Sequence, residues 1–269
     1  ASEQPREVPS YTIDRLRAKS AEYCVIVFVI NEGEKVRKQL ARMTKVTQNI
    51  DVIVADGGST DGSLDLDYLS SVGVTALLTK TGPGKLSAQM RMAFDFALNE
   101  GYAGVVTIDG NGKDGVEAIP QFITLLQDGI DHVQGSRFIP GGRAINTPPS
   151  RLIGLKLLHA PLISLASGLR QTDTTNGFRA YSARLLADPE VDVFRDVFQT
   201  YELHYHLAIE AGRLDRFRLA ESPVTRTYPK GKVPTKISPV RGNAHVLAVL
   251  FRAASGAYRS PLSKKDTSS

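Results

Sequence analysis

Cys24-Val25-Ile26-Val27-Phe28-Val29-Ile30 is an unbroken apolar run of strand length. It does not alternate with polar residues, so it reads as a strand buried on both faces, as in a parallel sheet. The pattern after it repeats. Asn31-Glu32-Gly33-Glu34 follows, with Asn31 placed to cap a helix reaching Met43. Val52-Ile53-Val54-Ala55 is a second strand, leaving through the polar loop Asp56-Gly57-Gly58-Ser59-Thr60-Asp61-Gly62-Ser63. Val74-Thr75-Ala76-Leu77-Leu78 is a third. Thr81-Gly82-Pro83-Gly84-Lys85 then leads into a helix over Leu86 to Asn99, whose Met90, Phe94 and Ala97 share a core face. Val105-Val106-Thr107-Ile108 is the fourth strand. A helix over Ile119 to Leu126 carries Pro120 at a tolerated early position, and His132 to Arg137 is a fifth strand running into a loop. Strand, polar loop and helix in rotation predict right-handed β-α-β units, hence an α/β domain with a mostly parallel central sheet flanked by helices.

The rest of the chain is less regular. Residues 1–20 read as an arm with a short amphipathic helix over Ile13 to Lys19. Ile153 to Ala166 is a long apolar helix interrupted by Pro161, and Leu203 to Ala211 is another. Gly231 to Asn243 is a basic, proline-broken loop. The resulting division is an arm (1–20), one domain (21–243), a C-terminal amphipathic helix (244–259) and a disordered tail (260–269). No apolar run approaches the ~18 residues that span a bilayer, and the start of the chain has no visible signal peptide. The single cysteine, Cys24, lies within a strand and excludes an internal disulfide framework, which fits a reducing cytoplasm. The formal charge of +5 suits anionic partners such as nucleotides, phosphates or an acidic membrane surface. It is too diffuse to argue for nucleic acid.

The chemistry concentrates where strands end. Asp109-Gly110-Asn111-Gly112-Lys113-Asp114-Gly115 closes the fourth strand with acids, an amide, a lysine and glycines. Carboxylate and amide oxygens there could hold a divalent cation, and glycines let backbone approach a phosphate. In a parallel sheet this loop, Asn31-Glu32 and Asp56 to Ser63 open on one edge, where α/β proteins bind ligands. Gly82-Pro83-Gly84 lacks the third glycine of a dinucleotide fingerprint, and no P-loop is present. Counted from Asp109, a calcium loop would need Gly at Asp114 and Glu at Pro120. There is no nucleophile elbow and no zinc-binding His pair. His204 and His206 are two apart on a helix and read as structural. A nucleotide site remains.

These residues, in this order, resemble the family 2 glycosyltransferases of the GT-A (Rossmann-like) fold. Gly135-Ser136-Arg137-Phe138, Gly141-Gly142, Arg151, Asp173 to Tyr181, Glu202-Leu203 and Pro223-Val224 are similar to the dolichol-phosphate mannose synthase or polyprenyl-phosphate glycosyltransferase branch. The resemblance spans roughly Tyr23 to Asn243. It implies transfer of a sugar, with inversion, from a nucleotide-diphosphate donor (GDP- or UDP-sugar) to a polyprenyl or dolichyl phosphate, with Mg2+ or Mn2+. Asn31, Glu32, Asp56, Ser59, Lys85, Asp109, Gly110, Asn111 and Lys113 would form the donor site, with Asp109 and Asn111 facing the metal. Arg137, Arg151 and Arg179 would hold the acceptor phosphate, and Asp109, Asp173 and Arg137 would be catalytic. The chain departs from the family pattern at Gly57, at Asn111 where the second acid of an Asp-x-Asp motif belongs, and at Lys113 where the family has Gln. Lys113 could lend positive charge to the diphosphate or pair with Asp114.

A phosphate acceptor is already anionic and needs no general base, so positioning by arginine forks would suffice. A hydroxyl acceptor needs a carboxylate base, for which Asp173 and then Glu202 are the candidates. A soluble family member with a hydroxyl acceptor, or a binding module without catalysis, are the alternatives. A lipid acceptor implies a peripheral position on a cytoplasmic membrane face, with the helix His245 to Tyr258 and the basic loop lying on it.

Overall fold

The computed structural model of the protein describes residues 5–229 and 241–262. In chain order the elements are β1 (Tyr11–Arg15), β2 (Tyr23–Val29), α1 (Glu34–Met43), β3 (Asp51–Asp56), α2 (Leu66–Ser71), β4 (Val74–Lys80) and α3 (Leu86–Asn99). Then come β5 (Gly104–Asp109), α4 (Ile119–Gln127), β6 (His132–Ser136), β7 (Arg143–Ile145), α5 (Pro149–Gly154), a π-helical turn (Leu155–His159) and α6 (Ala160–Ser167). The chain continues through β8 (Arg179–Ser182), α7 (Ala183–Leu186), α8 (Glu202–Arg213), β9 (Leu219–Pro223), β10 (Thr225–Thr227) and α9 (Arg241–Ala254).

The main sheet has the order β1-β4-β3-β2-β5-β8-β6-β9. Its centre, β4 through β5, is parallel, as the β-α-β rhythm predicts. The run Cys24 to Val29 is buried on both sides. Cys24, Ile26 and Phe28 join one core with Ile53, Phe94 and Phe198. Val25, Val27 and Val29 join the other with Leu40, Val54 and Phe122. Fully burying each large apolar side chain contributes about 1.5–3 kcal/mol, so the central strand anchors both layers.

Several elements differ from expectation. Residues Ile13 to Lys19 are not helical; Tyr11–Arg15 pairs antiparallel with β4 and closes the sheet edge, so a tertiary ladder overrides the local period. Asn31 does not cap α1. Gly33 holds that position, and Asn31 has φ 49° in the preceding turn. The helix interruption takes the form of the π-helical turn just ahead of Pro161, which has no N–H to give residue 157. Ser260 is buried rather than part of a loose tail, its hydroxyl reaching Pro189 O and Asp192. The predictions for residues 231–240 and 263–269 lie outside the described residues, while 241–243, expected as the end of the basic loop, open α9.

β8 does most to shape the site. It is inserted antiparallel between β5 and β6, with Thr107 opposite Arg179 and Gln134 also opposite Arg179. Because it runs backwards, the segment leading into it, Asp173 to Phe178, lies at the same edge as the ends of β5 and β6. β9, parallel to β6, also exits at that edge and delivers Val224 to Tyr228 there.

Candidate active site

The ends of β3, β2 and β5 lie side by side, with Val29 opposite Asp56 and Phe28 opposite Asp109. Two strand spacings separate the two acids, about 10 Å. The first loop cluster is tied together internally. Asp56 is buried; it accepts from Ser59 N at 2.9 Å and from Ser59 Oγ at 2.6 Å. Asn31 N donates to Ser59 Oγ, and Asn31 Oδ1 accepts from Thr60 N. Gly33 N donates to Asp61 Oδ2. Gln89 Nε2 spans Val29 O and Ala55 O, locking the two strand ends. Glu32 faces Lys35 at 3.7 Å. Lys85 is exposed at the start of α3, its N–H given to Gln199 O. Asn31, Glu32, Asp56 and Ser59 thus form a preorganised shelf beyond the ends of β2 and β3, beside the end of β5 that carries Asp109.

Asp109 is half-exposed at the end of β5. Gly110 is buried, and a side chain there would meet Val29 Cγ2 at 2.9 Å; its N–H is given to Phe28 O. Asn111 Nδ2 donates to Asp109 Oδ2 at 3.3 Å, while Asn111 Oδ1 accepts from Lys113 N at 3.2 Å. Gly177 packs against Asp109 from the segment entering β8, where a Cβ would stand 3.1 Å from Oδ1.

The arginines are sorted by their partners. Arg137 forms a buried bidentate pair with Asp173, Nε to Oδ2 at 2.7 Å and Nη2 to Oδ1 at 2.8 Å, and Arg137 N also donates to Oδ2. Asp173 is therefore committed to Arg137, and it is fully buried. Arg179 does not present its fork to a ligand. Its three nitrogens donate to Asn176 O, His204 O and Thr174 O, bracing the loop into β8. Glu202 accepts from Gln199 N, Thr200 N and Thr200 Oγ1 at the start of α8. His204 and His206 are buried structural residues of α8.

Arg226, buried on β10, stands at the centre of the site. Its Nη1 donates to Asp114, which is fully enclosed, and its Nη2 lies 3.4 Å from Asp109 Oδ2. Burial works against the guanidinium charge, but Asp114 and Asp109 outweigh it and hold the pKa above the ordinary arginine value. Thus Arg226, not Lys113, neutralises Asp114. β10 is fixed on both sides: it pairs with β7, and Thr227 N and Gly115 N exchange bonds with the chain at Lys113 and Thr225. Tyr228 follows, buried beneath three cations. Arg151, Lys113 and Arg226 lie 5.4, 5.2 and 5.7 Å from its ring centre, and Arg151 Nη1 donates to its hydroxyl at 3.3 Å. Burial would raise the Tyr228 phenol, yet Arg226 and Arg151 bring it below its ordinary value. Burial, with Arg226 and Arg151 nearby, lowers the Lys113 ammonium.

A cavity of about 640 Å3 opens over these groups. Asp109, Arg137, Arg151, Arg226 and Tyr228 line its polar part, and Leu152, Leu155, Leu158 and Leu247 its apolar part. Neither Arg226 nor Tyr228 belongs to a motif that stands out along the chain. A signal was available in Thr225-Arg226-Thr227-Tyr228, a polar strand that places every second residue on one side, but nothing local says which sheet it joins.

The chain is 32% identical over 206 residues to the undecaprenyl-phosphate mannosyltransferase of Micrococcus luteus, a match covering 74% of this chain and 81% of that protein. It is 29% identical over 165 residues to the polyprenol monophosphomannose synthase of Mycolicibacterium smegmatis, covering 60% and 62%. No protein-family model matches. Among solved structures, glucosyl-3-phosphoglycerate synthase from Mycobacterium tuberculosis superposes with TM-score 0.61 at 17% identity in its UDP complex, over 87% of this chain and 80% of that one. The same enzyme with Mn2+, UDP and glucosyl-3-phosphoglycerate gives TM-score 0.57 at 15% identity, over 87% and 78%. The residues of this chain fit a divalent ion poorly. Asn111 turns its NH2 to Asp109, Asp109 shares Arg226 with Asp114, and no group of three or more His, Cys, Asp or Glu forms a metal-binding cluster among the described residues. With its identity to the Micrococcus protein extending over three-quarters of the chain, and with this α/β architecture, the chain belongs to the family 2 glycosyltransferases of the GT-A fold, on the branch of the polyprenyl- and dolichol-phosphate mannosyltransferases.

Proposed function

We propose that the protein transfers a hexose, with inversion, from a GDP- or UDP-sugar to a polyprenyl phosphate. The observation that carries this reading is the lining of the cavity, cationic around Asp109 and apolar along the 149–167 helix. That is the chemistry of a phosphate head on an isoprenoid tail. The donor lies along the strand ends, its nucleoside on the shelf of Asn31, Glu32, Asp56 and Ser59 and its diphosphate beside Asp109, Gly110 and Lys113. Arg151 holds the acceptor phosphate, with Arg137 fixed beside it by Asp173. An acceptor phosphate oxygen attacks the anomeric carbon, the bond from that carbon to the diphosphate oxygen breaks, and the nucleoside diphosphate leaves with the electron pair. The acceptor brings its own negative charge, so no base has to remove a proton. This suits a site in which Asp173 is committed to Arg137 and Glu202 to Gln199 and Thr200 in the turn ahead of α8. Catalysis then rests on positioning and on cations aimed at the leaving group.

The same helix supports a membrane-surface position. While Leu152, Leu155 and Leu158 line the cavity, Ile153, Leu157 and Leu165 are exposed at 59%, 76% and 82%. They recur at multiples of four residues, one stripe of a helix. The C-terminal helix contributes less. Its Val249, Leu250 and Ala253 are buried in the core shared with α8, and the basic loop lies outside the described residues. No described helix is long and apolar enough to cross a membrane. The test is release of GDP or UDP from a panel of nucleotide sugars with and without polyprenyl phosphate. Release that depends on the lipid phosphate supports the reading. Release only with hydroxyl acceptors overturns it.

A further inference from the structure

Asp109 is the carboxylate beside which the proposed donor site places the diphosphate, yet its surroundings are already cationic. Arg226 lies 3.4 Å from one side of Asp109 and is held there by the enclosed Asp114. Lys113 is two residues beyond Asn111. Its ammonium rests over the Tyr228 ring, whose other cationic neighbours are Arg226 and Arg151. The Asn111 carbonyl oxygen, which would have to serve a metal, accepts from Lys113 N instead. Asp114 is closed to the cavity at 1% exposure. A dication on Asp109 would therefore have one carboxylate from the protein and a guanidinium close by. The charge count points the same way. Asp109, Asp114, Arg226 and Lys113 sum to zero, the same sum as two carboxylates and one divalent ion.

We propose that this site binds a nucleoside diphosphate without a divalent cation, Lys113 and Arg226 supplying the positive charge that a chelated ion would otherwise bring. The proposal rests on the donor-site reading above and specifies its electrostatics. Arg226 is positioned by Asp114 and remains charged throughout. Lys113 is tethered through its carbonyl to Thr227 N, and its ammonium lies 5.2 Å from the Tyr228 ring centre.

The test is calorimetric titration of the full chain with GDP and with UDP, first in excess EDTA and then with MgCl2 or MnCl2. The expected result is a Kd in EDTA within about threefold of that with metal. Lys113→Gln, in a loop outside the core, should weaken binding in EDTA about tenfold, the loss of one charge-assisted contact. Asn111→Asp combined with Lys113→Gln should make binding dependent on Mn2+, read as loss of the free-ion paramagnetic resonance signal on adding nucleotide. Binding of the unaltered chain only in the presence of metal overturns this proposal and leaves the donor-site reading intact. Unchanged affinity of Lys113→Gln in EDTA also overturns it. Failure of both nucleotides to bind under either condition overturns the donor-site reading and this proposal with it.

Discussion

Gly177→Ala separates position from stability at the site. The glycine has no left-handed φ, so alanine fits its backbone. The added Cβ stands 3.1 Å from Asp109 Oδ1 and 3.5 Å from Cγ and Oδ2, and meets nothing else that close. Ordinary contact begins near 3.4 Å, so the carboxylate must retreat by a few tenths of an ångström. A misplacement of 1 Å can cost about 100-fold in rate, so this retreat should lower kcat/KM about fivefold to tenfold. Stability should not fall. Glycine to alanine at a compatible backbone contributes roughly 0.4–1 kcal/mol through the unfolded chain, which raises Tm by about 2 °C or leaves it unchanged. The assay is the initial rate of lipid-dependent nucleotide release beside a thermal melt, with Asp109→Ala as the limiting case in which turnover is lost and the fold survives. Full activity of the Gly177→Ala enzyme would refute the idea that Asp109 acts through its position. A Tm lowered by more than about 4 °C would show instead that the loop into β8 had been repacked.

Asp173→Asn should lower stability by about 3 kcal/mol in urea, because it leaves the buried Arg137 without its counter-charge, and should impair turnover more than donor binding. An unchanged urea midpoint would contradict the buried pair. Leu157→Glu with Leu165→Glu should reduce sedimentation with vesicles containing anionic lipid while sparing turnover of a short-chain, water-soluble acceptor phosphate; equal vesicle binding by variant and parent would remove the 149–167 stripe from the membrane reading. His206 is buried, and burial lowers its pKa to about 4 against 6.5 for the free side chain. Between those values the unfolded chain binds a proton that the folded chain does not, so stability rises with pH across that window and is lost as pH falls through it. The slope should approach about 1.4 kcal/mol per pH unit from this residue. His206→Gln should flatten the slope of urea stability against pH between 4.5 and 6.5; a variant with the parent slope would rule His206 out as its source.

The parallel half of the fold was legible because each of its strands is apolar on both faces and each loop is punctuated by Gly, Asp or Asn. Those are local signals, and they located Asp56 and Asp109 at strand ends before any contact was known. The antiparallel insertion was not legible. Arg179-Ala180-Tyr181-Ser182 has no apolar run, and its arginine is buried only because three carbonyls of the surrounding loop and α8 accept from it. The arm at 11–15 hides its strand for a related reason, since an edge strand with one partner need not alternate cleanly. Partner choice among charges was likewise invisible. Asp173 could have met Arg179 and Asp114 could have met Lys113; the reversed β8 and the doubly held β10 gave them Arg137 and Arg226 instead.

The sequence by itself determined the architecture of the sheet's parallel centre, the edge at which its polar loops gather, and Asp109 as the acid at its midpoint, because periodicity and turn chemistry are written in neighbouring residues. Only the tertiary structure decided which cations stand beside that acid. Arg226 is more than a hundred positions away along the chain, and it reaches Asp109 through a ladder whose register depends on strands that no local pattern foretells.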